Sequence, residues 1–367
     1  MSDLSSVSVL GTTSSQLPIS WYFDARIYEI EKRVLFDHGP GYVGHELMVP
    51  NVGDFHALEW LGNSKALVRS PHAVELLSNV CRHRQAIMLT GHGNTKNIVC
   101  PLHRWTYALD GRLLGAPQFP SNPCLDLAKS RLTSWKGLLF AGQRYVERDL
   151  GGLTVQDELD FSGFVFDRVE IDNYACNWKT FIEVYLEDYH VEPFHPGLGN
   201  FVDVRDLRWE FGDWYSVQTC GIKRALARPG SDVYRKWHEQ VLRYRNGAQP
   251  SHGAIWLTYF PNVMVEWYPH SLVVSTIVPR GAEACTNIVE FYYPEEIAYF
   301  EREFVEAEQA AYRETALEDA EIIARMTAGR RALLQQELDE SGPYQSPLED
   351  GMRHFHEFVR REIEPHV

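Results

Sequence analysis

The chain has 367 residues, 44% of them apolar and 23% charged, the proportions of an ordinary globular protein with room for two domains. Its formal charge of -15 argues against nucleic acid and anionic membrane surfaces as partners, whereas a basic redox partner, a cationic substrate or plain solubility all suit it. No apolar run approaches the ~20 residues of a membrane span; the Ser- and Thr-rich start from Met1 to Gln16 is not patterned as a signal peptide, and the six cysteines form no disulfide framework, so a reducing cytoplasm is expected.

In chain order, the first twenty residues are expected to be loose, and Ala25 to Leu35 has the apolar spacing of a short helix. From about Gly41 to Tyr145 the chain is punctuated by Gly, Pro and Asn. Short β-rich runs lie between, with strands expected at Val74 to Val80, Lys96 to Cys100 and Gly137 to Gly142. Tyr107 to Leu113 reads as a hairpin, because Asp110-Gly111 supplies the positive φ of a tight turn. Gly151-Gly152 marks a boundary. The organisation is therefore a segment 1–40 packing on the larger domain, a small all-β domain 41–150, and a larger domain 151–367. Asn177 to Tyr189 reads as a helix with Trp178, Phe181, Ile182, Tyr185 and Tyr189 on one broad face. Residues 254–293 switch to period two: Ala254 to Phe260, Val263 to Tyr268, Ser271 to Val278 and Asn287 to Tyr293 form an antiparallel meander. Helix formers fill Glu295 to about Glu340, and Gly351 to Ile363 closes the chain as a helix with Met352, Phe355, Val359 and Ile363 on one side. The class is α+β, an antiparallel sheet flanked by long helices.

Two motifs carry the chemistry. The first pairs Cys81 with His83 and Cys100 with His103. Two Cys and two His could hold zinc, but zinc hairpins usually pair like with like. Here each half brings one Cys and one His. That suits a 2Fe–2S cluster in which thiolates hold one iron and two imidazoles the other. Trp105 and Tyr107 can cover it, and Arg82, Arg84 and Arg104 either offset its charge, meet a partner or are simply solvated. The remaining Cys124, Cys176, Cys220 and Cys285 read as free thiols.

The second motif runs Glu187-Asp188-Tyr189-His190-Val191-Glu192-Pro193-Phe194-His195. On a straight helix His190 and His195 would diverge by about 140°. Pro193 cannot continue a helix interior, so the helix is expected to break there and let His195 swing back. Two His and one carboxylate on one face would leave open positions on an iron for O2 and substrate. The carboxylate must come from elsewhere: Glu318, Asp319 and Glu321 on the long C-terminal helix are the candidates. Glu187 lies one turn before His190 on the same face, and Asp188 points about 100° away from it.

The stretch Cys100 to Gly111 closely resembles Rieske domains. Asn177-Trp178-Lys179 through Glu183 to His195 resembles the catalytic domain of Rieske non-haem iron oxygenase α subunits, and the likeness covers nearly the whole chain. It implies a helix-grip type catalytic domain, a mononuclear Fe(II), and O2 as co-substrate. Electrons would come from NAD(P)H through a flavin or iron–sulfur reductase or a ferredoxin. In that family a Glu-Asp pair followed by a Gly-containing turn supplies the carboxylate, which here implies Asp319, ten residues before Gly329. An acid before the Tyr-His pair bridges to a cluster histidine of a neighbouring subunit, which implies Glu187, with Asp188 as competitor, and a homotrimer. The Glu-Asp-Tyr-His form resembles the branch acting on quaternary amines; Val184, where Asn is common in ring dihydroxylases, departs from the aromatic branch. The expected activity is monooxygenation of a small organic substrate, hydroxylating carbon or removing a methyl group. The alternatives are a ring-hydroxylating dioxygenase and a Rieske electron carrier without oxygenase activity. Trp256, Tyr259, Trp267 and Tyr268 of the meander could enclose an ammonium by cation–π attraction, stack on an arene, or merely pack the core.

Overall fold

The computed structural model describes residues 15–367; the expectation of a loose start falls mostly on residues outside that range. Helix Ala25–Glu31 is capped by Asp24, which accepts from the Arg26 N–H, and it widens into a π turn at Lys32–Phe36. Leu17, Trp21, Tyr22, Ile27 and Ile30 bury their side chains against Trp178, Phe181 and Phe355. Glu31 accepts from Trp178 Nε1 at 2.8 Å and pairs with the Lys179 ammonium at 2.5 Å, both side chains fully buried.

Residues 42–140 build small antiparallel sheets of two- to five-residue strands. The hairpin forms as its turn chemistry demands: Tyr107 faces Leu113, and Gly111 takes φ 91°. Of the run Lys96 to Cys100 only Ile98–Val99 is strand, because Cys100 is drawn into a loop.

The larger domain holds seven antiparallel strands: β1 (Phe164–Tyr174), β2 (Val202–Gly212), β3 (Tyr215–Ile222), β4 (Ala254–Tyr259), β5 (Val263–Tyr268), β6 (Ser271–Gly281) and β7 (Ala284–Pro294). Their order is β1-β7-β6-β5-β4-β3-β2. Side chains alternate across a sheet, and the register sorts them. Trp256, Glu266, Val273 and Phe291 stand side by side on one face, which packs on helices Asp232–Tyr244 and Arg302–Gln335. Ile255, Leu257, Tyr259, Val265 and Trp267 lie on the other, against Trp135, Leu138 and Phe140 of the small sheets. This is the expected α+β arrangement.

Two local expectations fail. The helix that begins at Asn177 spans only Trp178–Tyr185, its first turn held by the Asn177 side chain accepting from the Lys179 N–H. Gly329 does not sit in a turn: the long helix runs through it to Gln335. A single glycine costs an exposed helix only ~1 kcal/mol, and 34 residues of mostly strong helix formers override it.

Candidate active site

The two halves of the first motif, Cys81/His83 and Cys100/His103, are loops of one design. In each, the N–H four residues after the cysteine bonds back to the cysteine C=O (Gln85 to Cys81, Arg104 to Cys100), and the cysteine N–H bonds to the next C=O, of Ala86 or Trp105. Both closing residues take positive φ, Gln85 at 55° and Arg104 at 61°. Cys81 and Cys100 are buried, His83 is half-buried and His103 exposed. The His83 and His103 rings are 4.7 Å apart, and His83 stacks on the buried Trp105 at 5.0 Å. Tyr107 Oη lies 3.7 Å from Cys81 Sγ.

Buried His83 Nδ1 and Trp105 Nε1 find no hydrogen-bond partner, an arrangement costly unless something else faces them. The four ligand candidates do not converge within 4.8 Å; among the described residues, the set of three or more that does is His190, His195 and Asp319. A tetrahedral zinc would require convergence on one point. A cluster with sulfurs on one iron and imidazoles on the other does not, so the residues present fit 2Fe–2S.

The second motif is assembled differently from the expectation. The helix ends at Tyr185, the chain turns through 186–190, and a new one-turn helix spans Val191–Phe194. Pro193 is thus not the break: it lies in the first turn of the new helix, where a missing N–H costs nothing. His190 and His195 flank that turn, and their ring centroids come within 4.9 Å. Asp319 Oδ1 lies 3.0 Å from His195 Nε2 and 3.6 Å from His190 Nε2.

Each ring also meets a second carboxylate on its far side: His190 Nδ1 lies 2.5 Å from Glu187 Oε1, and His195 Nδ1 bonds Glu318 Oε2 at 2.7 Å. Burial alone would lower His190, but Asp319 and Glu187 carry it up to about 10. His195 is raised against its own burial by Asp319 and Glu318. Burial would raise Asp319; the two histidines hold it below the usual carboxylate range. Two imidazoles and a carboxylate converging on one face, each imidazole backed by another carboxylate, fit a divalent iron.

The other candidates are placed as follows. Glu187 Oε2 accepts from the N–H groups of Tyr189 and His190, and its side chain retains 16% exposure. Asp188 is buried, with Oδ2 unpartnered, and burial beside Glu187 lifts it to about 7. Glu321 turns away to Arg325. A cavity of about 70 Å³ opens beside His190, His195 and Asp319. Trp256 and Tyr268 line it. Tyr259 and Trp267 do not: they alternate onto the opposite sheet face, where Tyr259 donates to Asp149 at 2.8 Å and Trp267 packs edge-on to His252. Tyr185, Phe201, Tyr234, Trp237 and Tyr312 supply the remaining aromatic rings, and Glu308 enters from the long helix. The sequence signal for Glu308 and Tyr312 was available: counting back from Asp319, both fall on its helix face.

No helix among the described residues is long and apolar enough to cross a membrane. Residues 156–364 match the ring hydroxylating alpha subunit catalytic domain, and residues 40–133 the Rieske 2Fe-2S domain. The putrescine 2-hydroxylase of Ralstonia nicotianae is 62% identical over 361 residues, 98% of this chain and 99% of the relative. That of Bordetella bronchiseptica is 53% identical, over 98% of this chain and 87% of the relative. A solved quaternary ammonium Rieske monooxygenase in complex with L-carnitine shares the fold, with TM-score 0.74, 18% identity and 96% of each chain covered.

Proposed function

The chain belongs to the Rieske-type oxygenases whose α subunits carry the ring-hydroxylating catalytic domain, and from that premise we propose that it hydroxylates a carbon of a short aliphatic diamine, putrescine at C2, as its relatives' names describe. The observation that carries the substrate is the cavity lining: Glu187, Asp188, Glu308 and Asp319, with no Lys or Arg. Such a site favours a cation. It disfavours L-carnitine, whose carboxylate would meet, away from the iron ligands, the acid Glu308 and no Lys or Arg. A free volume of about 70 Å³, far below the ~300 Å³ at the lower end of drug-sized pockets, suits a thin aliphatic chain better than a fused arene.

In this reading Cys81, Cys100, His83 and His103 hold the 2Fe–2S cluster, and His190, His195 and Asp319 hold Fe(II). When bound, these groups supply electron transfer and O2 activation. The chain's own residues do the rest. Glu318 and Glu187 fix the imidazole orientations from behind. Trp256, Tyr268 and the other rings exclude water and favour an ammonium. Glu187, partly exposed beside His190, is the bridge to a cluster histidine of a neighbouring copy, which makes a closed homotrimer the working assembly. Electrons come from a reductase or ferredoxin, with NAD(P)H as ultimate donor.

The test is O2 uptake by the fully iron-loaded protein with an iron–sulfur reductase. Putrescine should stimulate uptake and gain one oxygen atom from labelled O2, while carnitine and naphthalene should not. Absence of putrescine-dependent uptake by protein holding about three irons per chain would overturn the substrate assignment.

A further inference from the structure

The cavity ends on a carboxylate that no part of the iron site uses. Glu308 is 3% exposed and lines the cavity. Its oxygens accept only from hydroxyls, Ser271 Oγ at 3.2 Å and Tyr293 Oη. No Lys, Arg or His lies within ion-pair distance of it among the described residues, whereas the equally buried Glu183 is matched by Arg330 at 2.6 Å and His356 at 2.9 Å. A buried carboxylate without a counter-charge is expensive to keep ionised. Burial pushes Glu308 up to about 7 despite the hydroxyls of Tyr293 and Ser271. A cation arriving in the cavity would remove that penalty.

The placement of Glu308 is as telling as its isolation. Glu308 and Asp319 are eleven residues apart on one unbroken helix. Eleven residues make just over three whole turns, so the two side chains share a face with about 16 Å of rise between them. Ala311, Tyr312, Thr315 and Ala316 pave the cavity wall between. Of these, Ala311, Thr315 and Ala316 are small and leave open space along the helix. Tyr268 and Tyr312, both hydrogen-bonded to the buried Glu266 at 2.7 and 3.1 Å, stand beside it. The cavity thus reaches from the candidate iron ligands to Glu308, an acid with no cation beside it at the far end of the helix face.

We propose that Glu308 is the specificity-determining anchor for the ammonium of the substrate remote from the iron, and that its distance from Asp319 along the helix selects the length of the diamine. The proposal rests on the diamine reading above and adds which end is held, and by what. An extended four-carbon diamine spans roughly 6 Å between nitrogens by ordinary bond lengths; the other ~10 Å of the helix rise is taken up by the two carboxylate side chains, the ~2.8 Å ammonium–carboxylate contact and the gap between substrate carbon and iron. With one ammonium hydrogen-bonded to Glu308, the carbons near the other nitrogen are carried toward the iron ligands. A monoamine of the same length lacks that hold.

The experiment measures Kd by calorimetry on anaerobic iron-loaded protein for 1,4-diaminobutane, 1,5-diaminopentane and 1-aminobutane, with KM and kcat beside it. Truncating one partner of a buried charge pair typically costs at least thirty-fold, roughly, in affinity. Wild type should prefer 1,4-diaminobutane over 1-aminobutane by about that factor. Glu308→Gln should abolish the preference by weakening the diamine alone, with the loss in KM more than in kcat. Glu308→Asp withdraws the carboxylate by about one methylene, so it should shift preference toward 1,5-diaminopentane; this variant decides the matter if the Gln variant does not fold. A Gln variant that keeps the diamine preference, or an Asp variant with unchanged length preference, overturns the proposal. Failure of wild type to bind or hydroxylate any diamine overturns the substrate reading instead, so the two failures are distinct.

Discussion

Glu318 and Asp319 are neighbours in sequence, and the geometry gives them different work, which separates them experimentally. Asp319 faces the Nε2 atoms of both histidines, whereas Glu318 touches only His195 Nδ1, at 2.7 Å on the far side of the ring. Loss of Asp319 removes one of three ligands; loss of Glu318 leaves all three and removes only the group that orients and enriches one imidazole. Changes of the second kind cost about 10–100-fold in metal affinity, or about 1.4–2.7 kcal/mol. The assay is iron content after equilibration with a graded chelator series, the visible spectrum of the Rieske centre reporting that the small domain is intact. Asp319→Ala should hold about two irons per chain at every chelator concentration, all in the cluster. Glu318→Ala should reach about three, with its midpoint moved 10–100-fold toward weaker binding, and Glu318→Gln, which retains an acceptor, should recover most of the loss. A Glu318→Ala midpoint equal to wild type would refute the orienting role, and a third iron held by Asp319→Ala would refute the ligand set.

Two further perturbations test the surroundings. Glu187→Ala should leave about three irons bound yet stop product formation, and a pre-reduced cluster should fail to reoxidise with substrate and O2 present; normal turnover would exclude the bridge. Glu183 is held down to about 2: burial raises it, but Arg330 and His356 more than compensate. Its depressed folded value means the stabilisation, on the order of 3 kcal/mol, is present above about pH 4.5 and is lost as pH falls toward 2. Melting of Glu183→Gln should show a shallower acid limb than wild type and a lower Tm at pH 7, where Arg330 is left buried and unmatched; an unchanged acid limb would remove Glu183 from the account.

Legibility in the sequence followed how local the physics was. The meander β4 to β7 could be read because its faces alternate strictly and are buried on both sides. Strands β1, β2 and β3 escaped: most residues of β1 and β2 are only partly buried, so polar and apolar residues mix on both faces, and β3, though buried, carries Ser216, Gln218 and Thr219 among its apolar residues. The metal motifs stood out as residue types at short spacing, yet the mechanism assigned to Pro193 was wrong. A proline is neutral in a first turn and disruptive in an interior, and sequence could not say which position it held. Trp256 could not be told from Tyr259 and Trp267, because facing depends on register and on which side carries the helices. Spacing alone puts Glu308 on the helix face of Asp319, but the cation it lacks is visible only once every neighbouring element is in place.

The long helix brings residues far apart in sequence to one cavity. Glu308, Asp319 and Arg330 recur every eleven residues, a spacing that keeps them on one face over about six turns. Arg330 bonds Thr180 Oγ1 at 2.8 Å and Glu183 Oε2 at 2.6 Å, fixing the long helix against Trp178–Tyr185. That shorter helix leads directly into the turn carrying Glu187 and His190. The ion pair therefore sets the register between the two segments that bring the candidate ligands together. Because the helix is continuous between Arg330 and Glu308, the same lock also sets where the far end of the cavity stands. On the proposed assignments, ligand geometry and substrate length are then coupled through one rigid element, and a slip of a single turn, about 5 Å, would undo both at once.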